Sequence, residues 1–314
     1  MTAGETASAR ERIVVGTRGS PLALAQAERA VDALRAQYPE FDVDVQVVTT
    51  TGDASQETPL SELGLGVFTK ELEAALLDGR IDMAAHSLKD MSATGPEGLA
   101  IAAVLEREDP CDVVVSRSGA TLAELPLGAV VGTSSPRRAA LVRAARPDAV
   151  VQDVRGNVGT RIRKMQEGQY DALVLAAAGL VRLGREGEAT ERLDPLTFIP
   201  AVGQGAIALQ TRSDDGELLG MLAALEHRAT RWEVTAERAF LRAMGGGCRT
   251  PMGCFGSVMN EYIRVFGMVA GVGGEPLYRD YVAGEARDAE ALGGELAQKL
   301  LEQGAAALLA EDGA

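Results

Sequence analysis

Apolar residues along the chain alternate between short continuous runs and stretches of helical period. The first such pair is Ile13 to Thr17 followed, after Ser20-Pro21, by Leu22, Leu24, Ala27, Val31 and Leu34. That order predicts a strand, a tight turn and a helix. It returns at Ala129 to Thr133, where Val130-Val131-Gly132-Thr133 leads through Ser135-Pro136 into Ala140, Leu141 and Ala144. Serine suits the helix N-cap because its oxygen accepts an otherwise unpaired backbone N–H, and proline suits the first turn, where no N–H is needed. A second pair of pieces also matches. Lys70 to Ala85 and Arg163 to Ala178 each read as a helix, a glycine turn at Gly79 or Gly168, an aspartate at Asp82 or Asp171, and an apolar run. Two β-α units in the same order predict two similar α/β lobes whose helix N-termini, each with free N–H groups, face a common cleft.

The last third differs in pattern. After the glycine-rich stretch Pro200 to Ala206 and the short run Ile207 to Gln210, a helix is expected from about Glu226 to Met244, then the loop Gly245-Gly246-Gly247-Cys248. Three alternating stretches follow, near Phe255 to Met259, Tyr262 to Ala270 and Leu277 to Ala283, with a turn at Gly273-Gly274-Glu275-Pro276. A final amphipathic helix is expected over Asp288 to Ala310. The reading is a small α+β domain carrying a loop cysteine. At 314 residues the chain suits two or three domains.

Composition narrows the function classes. With 46% hydrophobic and 24% charged residues the chain is a soluble globular type. The polar start, Met1 to Arg12, and the absence of any apolar run longer than Ala172 to Val181 lead to an expected cytoplasmic location with no membrane partner. Three cysteines, Cys111, Cys248 and Cys254, show no C-x-x-C spacing, and with only His86 and His227 no metal site is expected. A net charge of −14 argues against nucleic acid as a partner. Yet residues 132–164 hold seven arginines and one lysine against Asp148 and Asp153. A local anion site is one reading of that island, and a solvated arginine-rich helix face is the other.

Candidate chemistry sits at the ends of the apolar runs. His86-Ser87-Leu88-Lys89-Asp90 places a hydroxyl, an amine and a carboxylate where a strand ends, the usual place for ligand groups in open α/β sheets, although a surface turn with an incidental ion pair fits as well. Arg137-Arg138 opens a helix, and Arg155 and Arg161 flank Gly156-Asn157-Val158-Gly159-Thr160. Guanidinium forks and backbone donors so arranged suit a multiply charged carboxylate or phosphate. As cleft residues at a helix start, Arg137 and Arg138 are expected to matter far more to ligand charge balance than to the fold. Cys248 follows three glycines, a setting for a thiol that must reach something, whereas Cys111 reads as packed and Cys254 as ambiguous. The common phosphate-loop, zinc-protease, nucleophile-elbow and dinucleotide motifs do not occur.

Taken together, Gly16-Thr17-Arg18-Gly19-Ser20-Pro21-Leu22-Ala23-Leu24 with Gln26, His86 to Asp90, Gly132 to Arg138, Arg155 to Arg161, Ala201 to Ala206 and Gly246-Gly247-Cys248 strongly resemble the porphobilinogen deaminase family. The six blocks occur in the family's order over roughly Ile13 to Gly256. The resemblance implies two lobes like those of periplasmic binding proteins, each with a mixed sheet, and a small α+β C-terminal domain. The expected divisions are 11–107 with 203–222, 108–202, and 223–314. It implies a dipyrromethane cofactor thioether-linked to Cys248 and extension of that primer by four porphobilinogens, with loss of ammonia and release of hydroxymethylbilane. Asp90 becomes the catalytic candidate, opposite the positive charge that develops on deamination. Lys89, Ser87, Thr133, Ser135, Arg137 and Arg138, and Asp90 as well, are assigned to the cofactor. Arg18, Ser20, Gln26, Phe68, Arg155, Arg161, Arg182 and Gln204 are assigned to substrate. A monomer is expected. The stretch Thr49 to Phe68, expected to be a lid, departs from the family pattern: Thr51-Gly52-Asp53 lacks the basic residue many members carry there, and no lysine lies between Pro59 and Phe68.

Two other readings account for part of the sequence. A non-catalytic bilobal anion-binding protein explains the lobes and the arginine island but gives the cysteine loop and third domain no purpose. A cysteine-dependent enzyme using Cys248 as a transient nucleophile lacks a histidine placed to activate it.

Overall fold

The structure is a computed structural model that describes residues 10–50, 69–245 and 250–311. Phe68, Cys248 and most of the expected 49–68 lid lie outside those residues.

Strand β1 (Arg12–Thr17) runs into helix α1 (Pro21–Gln37) through the turn read from sequence, and Ser20 caps the helix by accepting the Ala23 N–H at 3.2 Å. Strand β2 (Asp42–Val47), helix α2 (Lys70–Leu77) and strands β3 (Met83–Ser87) and β4 (Leu99–Val104) complete the first pass through lobe 1. Lobe 2 contains β5 (Asp112–Ser116), β6 (Val130–Gly132), α3 (Pro136–Ala145), β7 (Val150–Gln152), α4 (Val158–Gln166), β8 (Ala172–Ala176), α5 (Ala177–Arg182) and β9 (Glu191–Arg192). The apolar run Ala172 to Val181 is thus a buried strand followed directly by a short helix. Strand β10 (Ile207–Arg212) then returns to lobe 1, where helix α6 (Gly216–Ala223) follows it.

The two sheets share one plan. Their orders are β2-β1-β3-β10-β4 and β7-β6-β8-β5-β9. In each, the first three strands are parallel and the fourth runs antiparallel to both neighbours. That fourth strand is β5, which enters lobe 2, or β10, which leaves it. The two crossings are tied together: Glu108 N donates to Gly205 O at 3.2 Å, and Arg107 Nε donates to Gln204 O at 2.8 Å. Each lobe's core is aliphatic, with Ile13, Val15, Val31, Leu34 and Leu209 in lobe 1 and Val113, Ile162, Leu173 and Leu180 in lobe 2.

The third domain is an antiparallel meander, β11 (Met252–Met259), β12 (Tyr262–Ala270) and β13 (Leu277–Glu285), covered on one face by helices α7 (Arg228–Ala243) and α8 (Ala289–Leu300). Its other face packs on lobe 2, with Met268 and Ala270 joining the core around Leu141. The continuous helix expected over Asp288 to Ala310 is broken. Residues Leu301–Ala305 form a wide turn before α9 (Ala306–Glu311), because Gly304 sits at φ 123°, a conformation closed to other L residues. Among the described residues no helix is long and apolar enough to cross a membrane.

Candidate active site

Between the lobes lies a cleft of about 970 Å³. Helix α1 brings Ser20 to it, helix α3 brings Ser135, and helix α4 brings Asn157, each capping its own helix by accepting a backbone N–H. Eight cations line it: Arg18, Lys89, Arg137, Arg138, Arg155, Arg161, Lys164 and Arg182. Asp90 is the single carboxylate among the described lining residues. The arginine island therefore divides. Arg137, Arg138, Arg155 and Arg161 face the cleft, whereas Arg143 donates to Val272 O, Arg146 pairs with Asp148 and Arg163 with Glu167 away from it.

Arg137 and Arg138 are only 4% and 7% exposed, and the charge that balances them is Asp112, at 0%. Asp112 Oδ1 accepts from Arg138 Nε at 2.9 Å, from Arg138 Nη2 at 2.7 Å and from Gln204 Nε2 at 2.9 Å. Oδ2 lies 2.7 Å from Arg137 Nη2, an ion pair without an aligned hydrogen bond. Burial alone pushes the Asp112 carboxyl up, but the two guanidiniums outweigh it and hold it down at about 2. The expectation that these arginines matter little to the fold is corrected here: they lie in the protein interior, paired with a buried carboxylate. Asp112 itself was missed. Its sequence signal was an acid opening the apolar run Val113 to Val115, in a chain with two adjacent arginines to balance.

Lys89 and Asp90 belong to a single 3-10 turn that follows β3, so both reach the cleft from the C-terminal end of the sheet's central strand. Lys89 is pushed down to about 8, first by burial and then by Arg138 and Arg137, with Asp90 and Asp112 opposing. Gln26 and Ser87 pair with each other, Nε2 donating to Oγ at 2.7 Å. His86 is buried against Gln210 Oε1 at 3.0 Å and lowered to about 4 by desolvation, a neutral packed residue. Arg161 donates to Gly156 O at 2.7 Å and Arg182 to Gly205 O, and burial lowers each to about 10.

Of the assigned residues, Arg18, Ser20, Gln26, Ser87, Lys89, Asp90, Ser135, Arg137, Arg138, Arg155, Arg161, Arg182 and Gln204 meet in this cleft. Thr133 does not line it: it is buried beneath, its Oγ1 accepting the Ser135 N–H at 3.2 Å and so shaping the turn. Lys164, whose Nζ donates to Arg155 O at 3.2 Å, lines the cleft and was not foreseen. Two buried donors in the cleft wall, Arg137 Nε and Arg182 Nε, have no hydrogen-bond partner among the described residues. Together with the excess of cations, they fit a ligand bearing several carboxylates, as a dipyrromethane does. The two described cysteines fit no such role. Burial raises the Cys111 thiol to about 12, and it raises that of Cys254, wholly buried, well above its usual range.

Comparison with known proteins identifies the family. Residues 13–220 match the family described as porphobilinogen deaminase, dipyromethane cofactor binding domain, and residues 232–302 match the porphobilinogen deaminase C-terminal domain. The porphobilinogen deaminase of Syntrophobacter fumaroxidans is 46% identical over 96% of this chain and 98% of its own length. That of Desulforudis audaxviator is 50% identical over 96% of this chain and 98% of its own. Among solved structures, the methionine-binding protein MetQ aligns over 68% of this chain and 89% of its own, with 14% identity and a TM-score of 0.44. With both of its parts matched and nearly its whole length shared with such relatives, the chain belongs to the porphobilinogen deaminase family.

Proposed function

We propose that the cleft is where this enzyme deaminates porphobilinogen and joins four units head to tail, that Asp90 is its catalytic carboxylate, and that Cys248 holds the dipyrromethane. When bound, that cofactor supplies the pyrrole carbon to which incoming units are added. The observation that carries the reading is the charge of the lining, eight cations to one carboxylate, in a chain of net charge −14. Each pyrrole brings an acetate and a propionate, so a growing chain needs concentrated positive charge.

The family resemblance divides the lining residues by role, and their presence in one cleft supports the division. Lys89, Arg137, Arg138 and the Ser87 and Ser135 hydroxyls bind the primer's carboxylates. Arg18, Arg155, Arg161 and Arg182, with Ser20, Gln26 and Gln204, bind those of substrate. Phe68 is assigned there by resemblance alone. Asp90 offsets the cationic charge on the substrate's pyrrole nitrogen as ammonia leaves and accepts the proton released on coupling. Thr133 supports the turn that presents Ser135. The assignment of Cys248 is supported by the inertness of the alternatives: burial raises the Cys111 thiol to about 12 and the Cys254 thiol well above its usual range, so neither holds much thiolate near neutral pH. We further propose a cytoplasmic monomer divided at 11–107 with 203–222, 108–202 and 223–314.

Intact mass spectrometry of the purified protein tests the reading. The expected result is an adduct of two pyrrole units, mapped by proteolysis to the peptide containing Cys248. An unmodified Cys248 beside a modified Cys254 overturns the assignment, and light scattering checks the monomer.

A further inference from the structure

Asp112 lies behind the cleft wall, outside its lining, yet it contacts two of the cations that ligand would meet. Gln204, itself 0% exposed, carries its influence to a third. The Gln204 Nε2 donates both to Asp112 Oδ1 at 2.9 Å and to Pro110 O at 2.7 Å. Both are pure acceptors, so the amide is locked with its oxygen facing the cations. That oxygen accepts from Arg138 Nη2 at 3.1 Å and from Lys89 Nζ at 3.4 Å. Arg138 Nη1 donates to Val174 O at 3.3 Å and Arg137 Nη1 to Ile199 O at 2.7 Å, so backbone holds both guanidiniums while Arg137 Nε keeps no hydrogen-bond partner among the described residues.

Building on the polycarboxylate reading above, we infer that Asp112 is a positioning residue for the reaction. Directly and through Gln204, it fixes where Arg137, Arg138 and Lys89 present their charge to the carboxylates of primer and substrate. One buried negative charge against three positive ones leaves an excess for ligand while limiting the repulsion among the three. The guanidiniums are held in advance of binding, so less ordering is required when a carboxylate arrives.

The arrangement has a signature that structural support alone lacks. Lys89 attracts a carboxylate only as an ammonium; the protein's own groups push it down to about 8, the primer's carboxylates raise it from there, and the charge is lost as pH rises through the resulting midpoint. The charged groups facing it are Arg137 and Arg138 from α3, which favour the neutral amine, and Asp90 from its own turn and Asp112 from β5, which favour the ammonium. Asp112→Asn removes one of the two supporting charges. The Lys89 titration therefore moves to lower pH, by about half a unit or more.

The test compares the unsubstituted holoenzyme with Asp112→Asn. Acylation of Lys89, one of four lysines in the chain, is followed across pH by peptide mapping and gives its midpoint without reference to turnover. The expected result is a lower midpoint, an alkaline limb of kcat/KM displaced in the same direction, and a KM that rises several-fold, by a larger factor than kcat falls. An Asp112→Asn protein with reduced thermal stability but unchanged midpoint and KM overturns the inference. Should that variant not fold, Gln204→Met leaves the Asp112 ion pairs intact and breaks the link to Lys89. There too a midpoint that stays in place overturns it. Porphobilinogen consumption by the unsubstituted chain tests the underlying reading separately, so the two failures are distinguishable.

Discussion

Arg138 joins fold and function in one side chain: three of its contacts go to Asp112 or Gln204, and the same guanidinium lines the cleft. Removing one member of a buried ion pair leaves the other uncompensated, at about 3 to 5 kcal/mol. Arg138→Leu is therefore expected to lower the melting temperature sharply as well as the adduct content. Arg161→Leu, which removes a hydrogen bond to the Gly156 backbone oxygen, should lose adduct or activity with little loss of stability. Calorimetry and intact mass on both variants check this; equal melting temperatures would show that Asp112 does not depend on Arg138. Asp90→Asn makes the complementary case, a change confined to chemistry. It keeps the side chain's size but removes the charge opposite the developing cation. The expected loss is about a hundred- to thousandfold in single-turnover rate at saturating substrate, with the fold retained. An incidental Lys89 to Asp90 surface pair predicts near-normal turnover and less than about 1 kcal/mol of stability change. At this scale the sequence disclosed the cations well, because paired arginines and glycine-rich turns have a direct chemical reading. It did not disclose Asp112, whose partners lie 25 or more positions away, nor that Thr133 lies beneath the cleft surface and shapes the turn. Both depend on which side of a wall a side chain ends up, and that is decided by tertiary packing.

The element that sets the relation between lobes is the return crossing, residues 200–206, and Gly205 is its tightest point. Gly205 has φ 89°, and a Cβ there would lie 2.3 Å from the backbone oxygen of Glu108 on the other crossing. Neither the conformation nor the contact can be relieved by rotating a side chain. Gly205→Ala should cost about 1 to 3 kcal/mol from backbone strain alone, and it should lower kcat/KM as well, because Gln204 is the neighbouring residue. Gly187→Ala, with open space around it, is the control and should leave both quantities unchanged. Melting temperature and steady-state kinetics on the pair decide the matter; two equally mild variants would show that the crossing tolerates displacement. The lobes themselves were legible from the repeated strand, turn and helix, since local period and capping residues carry that signal. The antiparallel fourth strand of each sheet was not, because β10 pairs with strands more than 100 residues earlier in the chain. The break at Gly304 was equally hidden, as the apolar period continues across it and only the packing of Tyr278 beside that glycine marks the site.

Over the whole molecule two fields oppose each other: the acidic surface of a chain whose net charge is −14 in all, and a cleft whose described lining holds eight cations to one carboxylate. Porphobilinogen carries two carboxylates and one ammonium, so the body repels it at long range and the cleft attracts it at contact. Salt separates these, because screening depends on distance. The Debye length is about 30 Å at 0.01 M, about 10 Å at 0.1 M and about 3 Å at 1 M. Raising salt from about 0.01 to 0.1 M should therefore quench repulsion by the distant surface while leaving contacts inside the cleft nearly intact, and kcat/KM should rise. Toward 1 M the screening length falls to contact distance, the cleft's own attraction weakens, and kcat/KM should fall again. The substrate's net charge is only about −1, so the rise should be a few-fold, below the ~10- to 1,000-fold of strongly steered encounters. Because the effect lies in approach, kcat should stay level through the rising part. Steady-state kinetics in a salt with weakly binding ions, at fixed pH below 8 so that Lys89 stays charged, provide the measurement. A kcat/KM that falls monotonically from the lowest salt would mean that the cleft's field dominates even outside the protein. The acidic body would then have no part in governing substrate entry.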